Sequence, residues 1–185
     1  MSEHVRIEDL VRRIEQAFPS APYSGSMPIC GCNCWECEDL TKTLSGKSWT
    51  EFTPEQIRWI ADGTSLFSVE AFNYMLPAYM RAALIDPDEA SQAIAYTAWK
   101  FFPDDGKAPF RSPEGLNLEQ RGVLYDWLDW YIVSYNEAGL AATLAIPPED
   151  EKHRRFLEQC ATEERARIER DRAELTRLEA NFPRS

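Results

Sequence analysis

Residues 66–85, LFSVEAFNYMLPAYMRAALI, are the stretch of sequence that decides the fold. As a helix, this segment would be apolar on nearly every face, apart from a narrow polar stripe of Glu70, Asn73 and Arg81. A helix that is apolar almost all round belongs at the centre of a domain, where other helices cover it. Because Pro77 removes one backbone donor and crowds the preceding turn, we expect a kink there. The segment therefore predicts a buried central helix.

Further helices are indicated on both sides of this segment. Thr53, Pro54 and Gln56 have the residue types of a capping box with proline at the first helical position, and Asn117 with Gln120 repeats the box later. The predicted flanking helices run over about residues 5–18, 35–46, 54–62, 86–102, 117–135 and 147–181. No segment alternates between apolar and polar residues for long, so we expect no sheet of consequence. The fold class is all-α.

The chain has 185 residues, of which 44% are hydrophobic, enough for one core and too few to favour two domains. We expect a single compact multi-helix domain over residues 1–146, including a cysteine-rich segment at 30–37. A long, charged, amphipathic C-terminal helix over residues 147–185 follows it. Its apolar residues form a short heptad-like seam of Ile168, Leu175, Leu178 and Phe182. This seam can pack on the body, pair two copies into a homo-oligomer, or contact another protein.

The net charge of −11 is concentrated in the body of the chain. Residues 1–146 hold 21 acidic and 11 basic residues, whereas the remainder is nearly neutral. An acidic surface repels phosphate backbones and anionic lipids, which argues against nucleic acid and membrane surfaces. A basic protein is a plausible partner, and a charge that serves only to keep the chain soluble is an equally good explanation. No apolar stretch is long enough to span a bilayer, and the acidic residues among the first 18 do not fit a signal peptide. We therefore expect a cytoplasmic protein.

The strongest chemical signal is a cluster of four cysteines within eight residues. Cys30, Cys32, Cys34 and Cys37 follow the pattern C-x-C-x-C-x-x-C, and Cys160 stands apart on the last predicted helix. In a reducing compartment, thiolates at such density are soft ligands for zinc or an iron–sulfur cluster more often than disulfide partners. The spacing of the last two allows both sulfurs to face one tetrahedral ion. These four residues are the predicted metal ligands, with structural zinc as the predicted cofactor.

Zinc sites usually take a second pair of ligands from a distant segment. This chain has no second Cys-x-x-Cys pair, although His4, His153 and Cys160 are possible substitutes. Two other interpretations of the cluster stay open. The cysteines can also be free, partly buried thiols without a metal ion. Redox chemistry is less favoured, because thioredoxin-like motifs accompany a strand–helix unit that the sequence lacks.

The sequence shows no assembled catalytic motif. Neither histidine stands in an H-E-x-x-H frame, and there is no nucleophile elbow or glycine-rich phosphate loop. Asp126 and Asp129, three residues apart, lie on one edge of a predicted helix and can serve as general acid and base or hold a cation. The solvent-facing edge of an amphipathic helix explains the same pair more simply, and we favour that explanation.

The cysteines, Trp49 and residues 70–79, EAFNYMLPAY, resemble an uncharacterised bacterial family. Its members look like a Cys-x-x-Cys-x-x-Leu start, a tryptophan, an Ala-Phe-x-Tyr followed by Leu-Pro-Ala, and a later helix with a glutamine near its start, here Gln120. The resemblance spans about residues 34–135 and is most specific at Ala-Phe to Pro-Ala. The additional Cys30 and Cys32 and the long C-terminal helix depart from the family pattern. Since the family has no known reaction, the resemblance implies no catalytic residue.

Together these features favour a non-enzymatic partner-binding protein. The hypothesis we prefer is an immunity or inhibitor protein that neutralises a co-produced bacterial toxin or another intracellular effector. The alternative is a zinc-stabilised helical domain of another role, which is compatible with partner binding. A small metal-dependent hydrolase is the third and least favoured hypothesis.

Overall fold

The computed structural model describes residues 7–24, 29–30, 32, 34–102 and 113–184. Their helices are α1 (Ile7–Ala17), α2 (Trp35–Leu44), α3 (Pro54–Asp62), α4 (Val69–Ile85), α5 (Ser91–Phe101), α6 (Leu118–Trp130), α7 (Glu137–Ala145) and α8 (Glu151–Asn181). A π-helical segment, Tyr131–Asn136, joins α6 directly to α7. Within the described ranges there are isolated β-bridges and no strand. The predicted all-α class is confirmed.

Helix α4 is the centre of the body, as its composition predicts. It packs against α1, α3 and α5, and eleven of its residues are buried. The helix begins at Val69, three residues after the start of the apolar run, because the Ser68 hydroxyl accepts a hydrogen bond of 3.1 Å from the Ala71 backbone. Pro77 lies inside the helix, which continues to Ile85. Its all-round apolar surface is thereby covered by neighbouring helices.

Both predicted capping boxes are present. The Thr53 hydroxyl accepts from the backbone of Gln56, whose side chain accepts from the Thr53 backbone in return. Asn117 and Gln120 form the same reciprocal pair at the start of α6. In addition, the Gln120 Nε2 atom donates a hydrogen bond of 3.2 Å to the carbonyl oxygen of Ala17. The second box therefore also connects the start of α6 to the end of α1.

Helix α8 begins at Glu151, where the Asp150 carboxylate accepts a hydrogen bond of 2.7 Å from the His153 backbone. Ile168, Leu175 and Leu178 of the predicted seam are buried, and α8 packs on α6, the π-helical segment and α7. These three seam residues therefore pack on the body of their own chain. Among the described helices, none combines the length and the apolar composition needed to cross a bilayer.

Candidate metal centre

The cysteine segment is attached to the core at its first residues. The carbonyl oxygen of Ile29 accepts a hydrogen bond of 2.8 Å from the backbone of Ser68, and Cys30 forms an isolated β-bridge with Phe67. Ile29 and Cys30 are both buried. These contacts hold the beginning of the segment against the residues that precede α4.

The end of the segment is fixed by α2. Cys34 is the N-cap residue of this helix, with extended backbone angles and no side-chain capping hydrogen bond. Its thiol is therefore available for other contacts. Cys37 lies in the first turn of α2 and is buried. Because Cys34 and Cys37 sit at the helix start and one turn into it, their side chains lie on the same face.

Three sulfur atoms meet at this helix start. The Sγ atom of Cys32 lies 3.2 Å from that of Cys34 and 3.0 Å from that of Cys37. All three Sγ atoms lie within 4.8 Å of one another, and the three cysteines are free thiols. Zinc–sulfur bonds of about 2.3 Å in a tetrahedron separate the sulfurs by about 3.7 Å, so a small outward movement creates a zinc-sized site. The cysteines are arranged to bind a metal ion.

Cys30 lies beside this group. Burial raises the pKa of its thiol to about 12, and a hydrogen bond with Cys37 and the nearby Cys32 and Cys34 act in the same direction. The contact with Cys37 places the Cys30 sulfur next to one member of the group. Cys30 is thus the nearest candidate for a fourth ligand, with its thiol proton displaced when a metal ion binds.

Two of the three possible distant ligands, His153 and Cys160, do not join the cluster. Within the part of the chain that the structure describes, the only group of three or more potential ligand atoms is the one formed by Cys32, Cys34 and Cys37. His153 accepts a hydrogen bond from the Glu149 backbone at the start of α8, and Cys160 is half-buried further along that helix. His4 lies outside the described residues.

The two aspartates of α6 have different surroundings. Asp126 forms ion pairs with Arg13 of α1, at 2.6 Å, and with Arg184 beyond the end of α8. Burial is the main cause that raises the pKa of the Asp129 carboxyl group. Arg184 acts to lower this pKa, and the neighbouring Asp126 acts to raise it. The Asp126 carboxylate therefore joins three parts of the chain, and this structural role accounts for it without a reaction.

A groove beside the metal centre was not predicted from the sequence. Trp35, which directly follows Cys34, is 72% exposed, and Trp59 of α3 is 49% exposed. Both line a cavity of about 290 Å³ together with Glu36, Asp39 and Asp62. The described residues that line this groove include three carboxylates and no basic residue. The sequence signal for this groove was the tryptophan between Cys34 and Cys37. Its position in the sequence does not show whether the tryptophan side chain is exposed.

One comparison with known proteins gives a match. The model of a family described as "Family of unknown function (DUF6714)" matches residues 7–138, which include the cysteine segment and all helices from α1 to α6. No curated protein and no solved structure matches the chain.

Proposed function

The chain belongs to the family DUF6714, which has no known function, and we propose that it is a non-enzymatic protein that binds a basic protein partner beside a structural zinc ion. The observation that carries the proposal is the juxtaposition of three cysteine sulfurs with a tryptophan-lined acidic groove. Cys34 and Cys37 contribute to the sulfur cluster, and Trp35 and Glu36 between them line the groove. One short segment thus contributes to both the metal centre and the binding surface.

Zinc fits the ligand chemistry of this centre. Cysteine thiolates are soft ligands, and zinc accepts four of them in a tetrahedron. With Cys30 as the fourth ligand beside Cys32, Cys34 and Cys37, no coordination position remains open for a substrate, which is the arrangement of a structural site. The ion would tie the start of α2 to the segment held by Ser68. Its role would be to fix the orientation of α2 and of the groove that α2 lines.

The groove has the chemistry to receive arginine or lysine side chains. Exposed tryptophan rings bind cations over their faces, and the carboxylates of Glu36, Asp39 and Asp62 supply complementary negative charge. Lys42 approaches Asp39 at 3.9 Å on a solvent-exposed part of α2, so this pair contributes little and is easily exchanged for a partner's cation. Large exposed aromatic residues are also frequent energetic centres of protein interfaces.

Neutralisation of a basic toxin or effector is the role that we propose for this binding, as an immunity or inhibitor protein. The net charge of −11 would attract such a partner over a distance and speed its capture at low ionic strength. A hydrolase based on the α6 aspartates has less support, because Asp126 is already engaged by Arg13 and Arg184.

The test is native mass spectrometry of the full chain purified gently from its own cells at low salt. We expect a mass increase of one zinc ion and a co-purifying basic polypeptide. A Trp35→Ala/Trp59→Ala variant should retain zinc and lose the polypeptide. A matched control, Leu144→Ala/Phe156→Ala, removes two apolar side chains that are 55% and 59% exposed elsewhere and should retain both.

The two parts of the proposal fail separately. Zinc-free protein that still binds its partner would remove the metal centre from the proposal. A partner that is acidic, or one that the tryptophan variant retains, would overturn the proposed binding surface.

A further inference from the structure

A second cavity, of about 500 Å³, lies between α5, the π-helical segment and α8. No described residue lines both this cavity and the groove beside the metal centre. Its walls carry the aromatic side chains of Tyr96, Trp99, Phe102 and Tyr131, and α8 contributes Arg167 and Asp171. A volume of this size with mostly apolar walls and a few polar groups is typical of a small-molecule site.

A polar cluster around Arg167, which lines the cavity, contains one unused donor. Asn136 is only 2% exposed, and its Oδ1 atom accepts a hydrogen bond of 3.2 Å from the Arg167 guanidinium. The same guanidinium is paired with Glu164. The Asn136 side chain also hydrogen-bonds with the Tyr131 hydroxyl, whereas the Arg167 Nε atom is buried and has no hydrogen-bond partner among the described residues. Because a buried donor without an acceptor is unfavourable, the Arg167 guanidinium indicates a group that accepts from it in the functional protein.

The backbone is also unusual at this place. Tyr131 and Asn136 are the first and last residues of the π-helical segment. π-Helical turns are rare, because the regular α-helix is more favourable, and they are frequent at functional sites. Here the segment places the Tyr131 ring in the cavity wall and Asn136 next to Arg167. The distortion and the polar cluster thus coincide at one cavity.

The charges around the cavity limit the class of ligand. Arg167 disfavours a cation, while Glu164 and the buried Asp171 disfavour an anion. Aromatic walls favour a flat, apolar body, and the Arg167 guanidinium in the wall calls for a carbonyl-type acceptor. We propose that this cavity binds a small, uncharged, planar molecule that presents a carbonyl oxygen to Arg167.

The experiment compares three probes that share one ring system and differ in charge: 2-naphthamide, 2-naphthoate and 2-naphthylmethylammonium. Binding to the full chain is measured by NMR titration, following the tryptophan indole N–H signals. We expect the neutral amide to bind at least about tenfold more tightly than either charged probe. Equal or tighter binding of a charged probe, or binding of none of the three, would overturn the proposal.

Two variants locate the binding site. Ala95 is an exposed residue of the cavity wall, so Ala95→Trp should fill the cavity without disturbing the core and weaken amide binding at least about tenfold. Ala166→Trp adds the same ring at an exposed position of α8 that lines none of the described cavities, and should leave binding unchanged. Undiminished amide binding by a folded Ala95→Trp variant would place the ligand elsewhere and refute the assignment.

Discussion

The hydroxyl of Tyr125 on α6 donates a hydrogen bond of 2.8 Å to the backbone carbonyl oxygen of Phe182, one residue beyond the end of α8. The same hydroxyl lies 3.4 Å from the carbonyl oxygen of Leu178, in the last turn of α8. The last carbonyl groups of a helix lack partners within the helix. A fully buried tyrosine on the body therefore satisfies the end of the C-terminal helix and fixes it in place.

Replacing Tyr125 with phenylalanine should loosen this attachment. The ring and its packing are retained, while the carbonyl oxygen of Phe182 loses the hydroxyl donor and that of Leu178 keeps only the Phe182 backbone N–H. We expect the free energy of unfolding to fall by about 1 kcal/mol, measured by chemical denaturation. Tyr96→Phe is the matched control, because the Tyr96 hydroxyl has no hydrogen-bond partner in the described part of the chain. An equal effect of both substitutions would contradict this role of Tyr125.

The raised pKa of Asp129 predicts a pH-dependent gain in stability when its charge is removed. Burial is the largest cause of the shift, and it makes the folded state bind the carboxyl proton more tightly than the unfolded chain does. The ionised carboxylate therefore destabilises the fold above the raised pKa and has no such effect below the ordinary carboxyl value. Asp129→Asn should raise the melting temperature at neutral pH, and the gain should vanish near about pH 3.

Asp126→Asn is the control for this prediction, since the same substitution three residues earlier should have the opposite effect. It removes the ion pairs of Asp126 with Arg13 and Arg184, so the melting temperature at neutral pH should fall. Two results would contradict this explanation. One is a higher melting temperature for Asp126→Asn, and the other is a gain in melting temperature from Asp129→Asn that is as large at acidic pH as at neutral pH. Either would show that burial of charge does not distinguish the two carboxyl groups.

Metal removal should destabilise the region around the start of α2. Because ligand binding to the folded state contributes its binding free energy to stability, a chelator should lower the melting temperature of the zinc-loaded protein. Cys34→Ser should lower the zinc content and make the melting temperature insensitive to chelator. Cys160→Ser, which replaces the cysteine outside the cluster, should change neither. A melting temperature that chelation leaves unchanged would rule out a stabilising ion.

Local signals in the sequence predicted much of the fold. The apolar run around Pro77 gave the central helix, and the capping boxes at Thr53 and Asn117 gave the starts of α3 and α6. The dense cysteine pattern indicated a cluster of sulfurs, because residues this close in sequence have few ways to separate; Cys32, Cys34 and Cys37 meet, while Cys30, which was predicted with them, lies beside the group. These features depend on neighbours along the chain, which the sequence displays directly.

Features that depend on tertiary packing were not predictable in the same way. The helix predicted to end near residue 135 continues through the π-helical segment into α7, where the small and apolar residues of Glu137–Ala145 have no pattern that marks a boundary. None of the α7 residues is buried, although most are apolar. The packing of distant segments decides whether Trp35 stays exposed and whether a cavity forms beside Arg167. The periodicity of the sequence does not record this packing.

Gln120 combines a local and a long-range hydrogen bond, and one substitution can separate them. Its side-chain oxygen accepts from the Asn117 backbone, while its Nε2 atom donates to the carbonyl oxygen of Ala17 in α1. Gln120→Glu retains the capping acceptor and removes the donor, leaving a carboxylate near the Ala17 carbonyl. We expect the free energy of unfolding to fall by about 1–2 kcal/mol in chemical denaturation.

Gln56→Glu is the matched control, because Gln56 occupies the same capping position of α3 and has no described hydrogen bond to another element. Glutamate is as good as glutamine in a capping box and favourable near a helix start, so this variant should be unchanged or slightly stabilised. The difference between the two variants then measures the connection between α1 and α6. Equal stabilities would mean that Gln120 acts only as a cap and that its hydrogen bond to Ala17 does not help to hold these two helices together.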